Sequence, residues 1–289
     1  MFSSNLLALS QQKLTMFLTC QRRFYLRYRA NLPWPEPPLP AEQEASLQLG
    51  QQFHQLLERH FLGLPVAESL GENGRLHHWW SQFQSHPPDL PPGQRLPEIG
   101  LRVPLGDEQA TVLVGRFDLV VLGQTAMGHP AVHIYDWKTG RPQPVDELRR
   151  SWQTRLYLAL MVEGGQSLFD GTGAAGRVLP EAVWLTYWYV NAPDEPRTIN
   201  YSQAAHEQNW AELTAVAAQM QAQIAAETAV SNPDTHWPKT EDWSHCTYCA
   251  YRAYCGRQAA VAIDQTDHAH DDEPDPTETA VWELEPAGR

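Results

Sequence analysis

The sequence predicts an α/β protein in which a central mixed β-sheet is flanked by helices. Three observations lead there. The hydrophobic period is helical to about Phe61, gives way to short β-branched and apolar runs between Ile99 and Val190, and becomes helical again after Gln203. A stretch of helical period interrupts the sheet runs, as a mixed sheet with crossover connections requires. The chain has four cysteines, Cys20, Cys246, Cys249 and Cys255, at its two ends. That grouping predicts one four-thiolate metal site joining the N- and C-terminal segments.

The elements follow in order. Ser10 caps a helix predicted to run to about Tyr28, with Leu14, Phe17, Leu18, Tyr25 and Tyr28 as its apolar stripe. Arg22, Arg23, Arg27 and Arg29 crowd its last turns, where they suit the helix dipole. Five prolines between Asn31 and Pro40 make a linker. A second helix spans about Ala41 to Phe61, with Leu47, Gly50, His54, Leu57 and Phe61 on one face. A Pro-rich loop covers His86 to Pro97. Strands are predicted at Ile99–Leu105, Thr111–Leu122 and Val132–Trp137. A helix over about Asp146–Glu163 follows, then an aromatic strand at Glu181–Val190 and an edge at Thr198–Tyr201. A long helix over about Gln203–Thr228 carries Trp210, Leu213, Met220 and Ile224. No internal repeat is present.

Composition sets the class. The 42% hydrophobic content, with eleven Trp, supports a sizeable core in one domain over residues 1–263. No segment approaches the roughly 18 apolar residues that span a bilayer. Met1 to Thr15 shows no basic stretch followed by an apolar run, so the expectation is a cytoplasmic protein with reduced thiols. The net charge of −13 argues against general nucleic-acid binding, but it is uneven. Asp264 to Arg289 carries nine acidic residues and one basic residue, which leaves −5 for the rest. The 264–289 segment is expected to be an acidic, disordered tail.

Two strands end in acid. Gly115-Arg116-Phe117-Asp118 lies in one, and Ile134-Tyr135-Asp136-Trp137-Lys138 closes the next. Alternation puts Asp136 and Lys138 on one face. Carboxylates on neighbouring strands form a hard-oxygen site suited to Mg²⁺ or Mn²⁺, and a nearby lysine can hold a phosphate oxygen or align a water. Asp-x-Lys alone is as consistent with an exposed pair at a strand end, and a lone His54 on an apolar helix face with a packed core residue. Arg149, Gln153 and Tyr157 recur every four residues beside the apolar face of the following helix, a stripe that either faces solvent or tracks a phosphate backbone. Gly123 and Gly128 are spaced like P-loop glycines, but His129-Pro130 replaces the required Lys and Ser/Thr, so a motor is excluded.

Taken in order, these pieces resemble the RecB-like branch of the PD-(D/E)XK nuclease superfamily. The similarity is to its iron–sulfur nucleases, such as the AddB nuclease domain and the exonucleases of CRISPR adaptation. The resemblance runs from about Leu9 to Arg257. It rests on Phe17-Leu18-Thr19-Cys20-Gln21-Arg22-Arg23-Phe24, Gly50-x-x-x-His54, Gly115-Arg116-Phe117-Asp118, Asp136-Trp137-Lys138-Thr139-Gly140, Gln153-x-x-x-Tyr157 and the closing cysteines. Gln21 stands where many relatives have Pro, and Asp136 where Glu is also common. The resemblance implies a restriction-endonuclease-like core and an Mg²⁺- or Mn²⁺-dependent deoxyribonuclease. Such an enzyme would be an exonuclease on single strands or DNA ends, in repair, recombination or CRISPR adaptation, with any helicase on a separate protein.

Residue by residue, the resemblance implies that His54, Asp118 and Asp136 bind the divalent ion, with help from the Trp137 carbonyl. Lys138 would position the water and stabilise charge on the phosphate. Gln153 and Tyr157 would lie along the DNA path. Arg22, Arg23 and Arg149 are candidates for the basic track. Cys20, Cys246, Cys249 and Cys255 would hold a [4Fe–4S] cluster. Four thiolates suit Zn²⁺ equally well on chemistry alone. The other readings are a non-catalytic DNA-binding scaffold on the same fold and a structural zinc protein.

Overall fold

The computed structural model describes residues 7–32, 41–106, 111–169, 176–227, 236–247 and 249–257. Most of the proline linker and all of the acidic 264–289 segment lie outside them. Among the described residues, no helix is long and apolar enough to cross a membrane.

The sheet is built around one long strand. β1 is Leu7–Leu9, β2 Gln94–Leu105, β3 Thr111–Gln124, β4 Pro130–Lys138, β5 Val183–Tyr189 and β6 Arg197–Asn200. β2 lies antiparallel to β3 along its length, from Gln94↔Leu122 to Leu105↔Thr111. The other edge of β3 is shared. β4 runs antiparallel to its later half, up to Leu119↔Tyr135, and β1 runs parallel to Thr111–Leu113. Between those pairings, residues 114–118 of β3 have no ladder partner on that edge. β4 pairs parallel with β5, and β5 antiparallel with β6, so the sheet is mixed as expected.

The helices cover both faces. They are α1 Gln11–Thr19, α2 Gln21–Phe24 (continuing as a π-helical turn, Tyr25–Arg29), α3 Ala41–Phe61, α4 Ala67–Leu70, α5 Gly74–Ser85, α6 Val145–Arg150, α7 Trp152–Gly164 and α8 Gln203–Ala226. The larger core joins α1, α7 and α8 to Leu113, Phe117, Val120, Leu122 and Ile134 of the sheet. The smaller one joins α3 and α5 to Leu119, Val121, Tyr135 and Trp137 on the opposite face. In β3 the residues facing the larger core change from odd to even numbers between Phe117 and Val120. β2 makes the converse change, from even to odd numbers, near Glu98, whose φ is +51°. Each large side chain in these layers contributes about 1.5–3 kcal/mol by burial, so both faces are fixed around this switch.

Several expectations are corrected. The helix predicted from Ser10 to Tyr28 breaks at Cys20, which is extended (φ −157°, ψ 103°) and begins a second helix. The helix predicted over Asp146–Glu163 breaks at Ser151, whose hydroxyl caps α7 by accepting from the Thr154 N–H. Arg149 therefore lies on a different helix from Gln153 and Tyr157, and the four-residue stripe is interrupted. β2 starts at Gln94, inside the predicted loop. β1 and α5 were not anticipated. α5 carries a helical signal, with Asn73 as N-cap and Leu76, Trp79, Trp80 and Phe83 on one buried face.

Candidate metal centre at a fork in the sheet

Beyond Leu119↔Tyr135 the two central strands part. β4 continues with β5 as far as Lys138↔Tyr189, while β3 continues with β2. Asp118 stands on one side of this fork, and Asp136 and Lys138 on the other. The Trp137 N–H crosses the gap to donate to Asp118 Oδ2 at 2.8 Å. A side chain thus replaces the ladder carbonyl that the parting strands remove.

α3 supplies His54. Its neighbours Phe53, Leu56 and Leu57 are buried against the sheet, which brings the imidazole to the margin of that contact. Nδ1 of His54 lies 3.4 Å from Asp118 Oδ1. α7 supplies Gln153. Its Nε2 donates to Asp136 Oδ2 at 2.8 Å, and its Oε1 accepts from Lys138 Nζ at 3.2 Å. Lys138 Nζ is also 2.9 Å from Asp136 Oδ1. Asp136, only 3% exposed, is therefore clasped by a cation and an amide. Behind it, the hydroxyl groups of Thr154 and Tyr187 are 2.8 Å apart. Burial, followed by the charge of Asp136, pushes the Tyr187 phenol well above its ordinary value.

Glu98 was missed by the sequence reading. The β2–β3 register passes through Ile99↔Phe117 and Pro97↔Leu119, which sets Glu98 opposite Asp118. Like charges directly opposed on paired strands are destabilising, and a non-glycine residue at φ +51° is uncommon. One ligand atom each from His54, Glu98 and Asp118 falls within 4.8 Å of the others, the spacing of a cation site. Glu98 is pushed up to about 7 by burial and then by Asp118, against the pull of Arg116 and His54. Burial works to raise Asp118 too. His54, the Trp137 N–H and Lys138 outweigh it and hold Asp118 below the usual range. An oxygen-rich set with one imidazole suits a hard divalent cation.

The expected ligand set is thus only partly assembled. His54 and Asp118 come together, with Glu98 as their third member, while Asp136 turns toward α7. Lys138 and Gln153 are beside it. Tyr157 is 8% exposed, with its ring 4.6 Å from Phe117, so it packs under the site and offers no ring face to a base. Gly115 belongs to that packing. A Cβ there would lie 2.6 Å from Leu160 Cδ1 and 3.3 Å from Tyr157. Arg149 is on the surface, paired with Asp146 at 3.0 Å. Arg22 and Arg23 lie away from the fork, in the terminal cap.

That cap does join the two ends. Trp237 is fully buried and stacks on Tyr25 at 5.6 Å, beside Phe24. Tyr251 OH donates to the Leu32 carbonyl at 2.9 Å. All four cysteines line one small pocket with Arg23, Lys239, Arg252 and Arg257, and among the described residues no carboxylate lines it. The thiols are free, and Arg257 Nη1 is 3.2 Å from Cys246 Sγ. Burial pushes the Cys249 and Cys255 thiols up. No three of the sulfurs gather within 4.8 Å of one another. The structure therefore does not show the expected thiolate set closed on one metal.

At the fork, His54 of α3 with Glu98 and Asp118 of β2 and β3 could hold a divalent cation, and the Asp136–Lys138 pair stands on the neighbouring strand. The chain belongs to the PD-(D/E)XK nuclease superfamily, whose family model matches residues 8–256. No curated protein matches the sequence. Among solved structures it is similar to the crystal structure of SSO0001, at 14% identity and a TM-score of 0.32, with 88% of this chain and 87% of that chain covered. That likeness is too slight to carry an argument.

Proposed function

We propose that the protein is a divalent-cation-dependent deoxyribonuclease, acting as an exonuclease on single-stranded DNA or duplex ends in repair, recombination or CRISPR adaptation. The observation that carries this reading is the fork, where Asp118, Asp136 and Lys138 meet His54 and Glu98. A bound Mg²⁺ or Mn²⁺ supplies a water of lowered pKa and charge neutralisation at phosphorus. The chain's own groups do the rest. His54, Glu98 and Asp118 offer the donor atoms that would hold the ion, and Asp136 stands beside them across the fork. The Lys138 ammonium would align the attacking water and oppose charge that develops on the phosphate oxygens. Gln153 fixes Asp136 and Lys138 relative to each other, so neither reorganises when substrate arrives.

The cap is proposed to hold a [4Fe–4S] cluster in a structural role. What supports a shared centre is that all four cysteines line one pocket together with Arg23, Lys239, Arg252 and Arg257, which suit an anionic group; a tetrahedral Zn²⁺ is the alternative.

The test is anaerobic purification followed by assay on end-labelled single- and double-stranded DNA, with and without Mn²⁺. Asp136→Ala and Lys138→Ala should each abolish cleavage while the cap's visible absorption persists. Cleavage that survives both changes refutes the assignment. A colourless protein loaded with zinc refutes the cluster alone.

A further inference from the structure

We infer that Arg116 is the ligand for a substrate phosphate at the fork, kept in place by Glu98 until nucleic acid arrives. This rests on the nuclease reading above. Arg116 precedes Asp118 by two residues on β3, and the register sets it opposite Gly100. A Cβ at Gly100 would meet only the Gly115 carbonyl, at 3.9 Å. No side chain therefore stands directly opposite Arg116 on β2, and its own side chain is 29% exposed at the mouth of the site. Its Nε donates to Glu98 Oε2 at 2.5 Å, and among the described residues this is its one hydrogen bond. The guanidinium has five donors in a planar fork, so the edge carrying the terminal nitrogens remains available.

The chemistry of that edge fits a phosphodiester. Two non-bridging oxygens match two parallel N–H groups, a pairing that a point-charge ammonium cannot reproduce. Lys138 is already committed to Asp136 and Gln153. Arg116, with five donors and one carboxylate partner, brings the larger donor surplus to the fork. Glu98 serves both sides of the arrangement. It lies within cation-ligand distance of His54 and Asp118, and it holds Arg116. A cation arriving at the trio competes for the Glu98 carboxylate and loosens its hold on the guanidinium, so metal and substrate are bound in concert. The competing account makes Arg116 only a counter-ion that stabilises Glu98.

Wild type, Arg116→Lys and Arg116→Ala separate the two. Binding of a short single-stranded phosphodiester oligonucleotide is measured at saturating Ca²⁺ by fluorescence anisotropy. The same oligonucleotide with neutral methylphosphonate linkages is the control. Mn²⁺ affinity is measured without DNA, and thermal unfolding checks the fold. A charge-assisted bidentate contact predicts that both variants lose about 10- to 100-fold affinity for the phosphodiester. The methylphosphonate should lose little, and Mn²⁺ should bind as in wild type or tighter. Unchanged phosphodiester affinity overturns the inference, as does equal loss on both oligonucleotides. Arg116→Lys tests the same point if Arg116→Ala does not fold. If wild type cleaves DNA but the variants bind it normally, this inference alone fails. If wild type cleaves nothing with any divalent ion, the nuclease reading fails and takes this one with it.

Discussion

Replacing Glu98 by Gln tests the cost of ionising a carboxyl that is buried opposite Asp118. In the folded chain Glu98 is raised from an ordinary 4.5 to about 7, first by burial and then by Asp118. Between those two values the folded carboxyl keeps its proton and the unfolded chain does not. Stability therefore falls as pH rises through the window. At ~1.4 kcal/mol per pH unit the full loss is about 3 kcal/mol. For a chain of this size that is a fall of about 6–12 °C in melting temperature. Asp118 is shifted the other way, and its contribution is lost only on acidification below its ordinary value, outside this window.

The assay is thermal unfolding of wild type and Glu98→Gln at pH 5 and pH 8 in chelator, then at pH 8 with Mn²⁺. Wild type should lose about 3 kcal/mol more than the variant between the two pH values, and Mn²⁺ should restore more to wild type than to the variant. The pairing of ionised Glu98 with Arg116 is already contained in the shift to about 7, and Gln does not titrate, so the comparison reads the Glu98 carboxyl itself. If both proteins lose the same stability from pH 5 to pH 8, burial and Asp118 do not hold the Glu98 carboxyl against ionisation as described.

Two further outcomes follow from the packing around the fork. Gly115→Ala places a methyl 2.6 Å from Leu160 Cδ1, and should destabilise the fold by about 1–3 kcal/mol in urea unfolding. Unchanged stability would mean that α7 can retreat from β3. Gln153→Ala removes the amide that bridges Asp136 and Lys138, and single-turnover cleavage should slow by about 10- to 100-fold. Gln153→Glu restores the carbonyl acceptor for Lys138 but sets a carboxylate against Asp136, so it should not rescue the rate.

The site was legible wherever a charge interrupts an apolar strand. Asp136 and Lys138 end an otherwise buried run, and alternation alone puts them on one face, as their shared partner Gln153 bears out. His54 carries no such signal. Only order along the chain and resemblance singled it out from an ordinary core histidine. Glu98 was hidden for a physical reason. It follows Pro97, which reads as a strand breaker, and it sits where the inward face of β2 switches from even to odd positions, so period-two alternation fails at that residue. The helix breaks at Cys20 and Ser151 are single-residue changes of ψ inside unbroken helical periodicity. β1 is three residues long, held by its pairing with β3 and not by any pattern of its own. The sheet order was legible only as a class, because pairing across β3 depends on residues far apart in sequence.

The segment from Leu7 to Cys20 acts as a tie rod. At one end β1 borders the unladdered stretch of β3 that runs up to Asp118. At the other, Cys20 faces the pocket of cysteines, and the nine residues of α1 span the distance between them. The cysteine pocket and the strand that borders the fork are therefore one short helix apart, a separation of about 14 Å at 1.5 Å per residue.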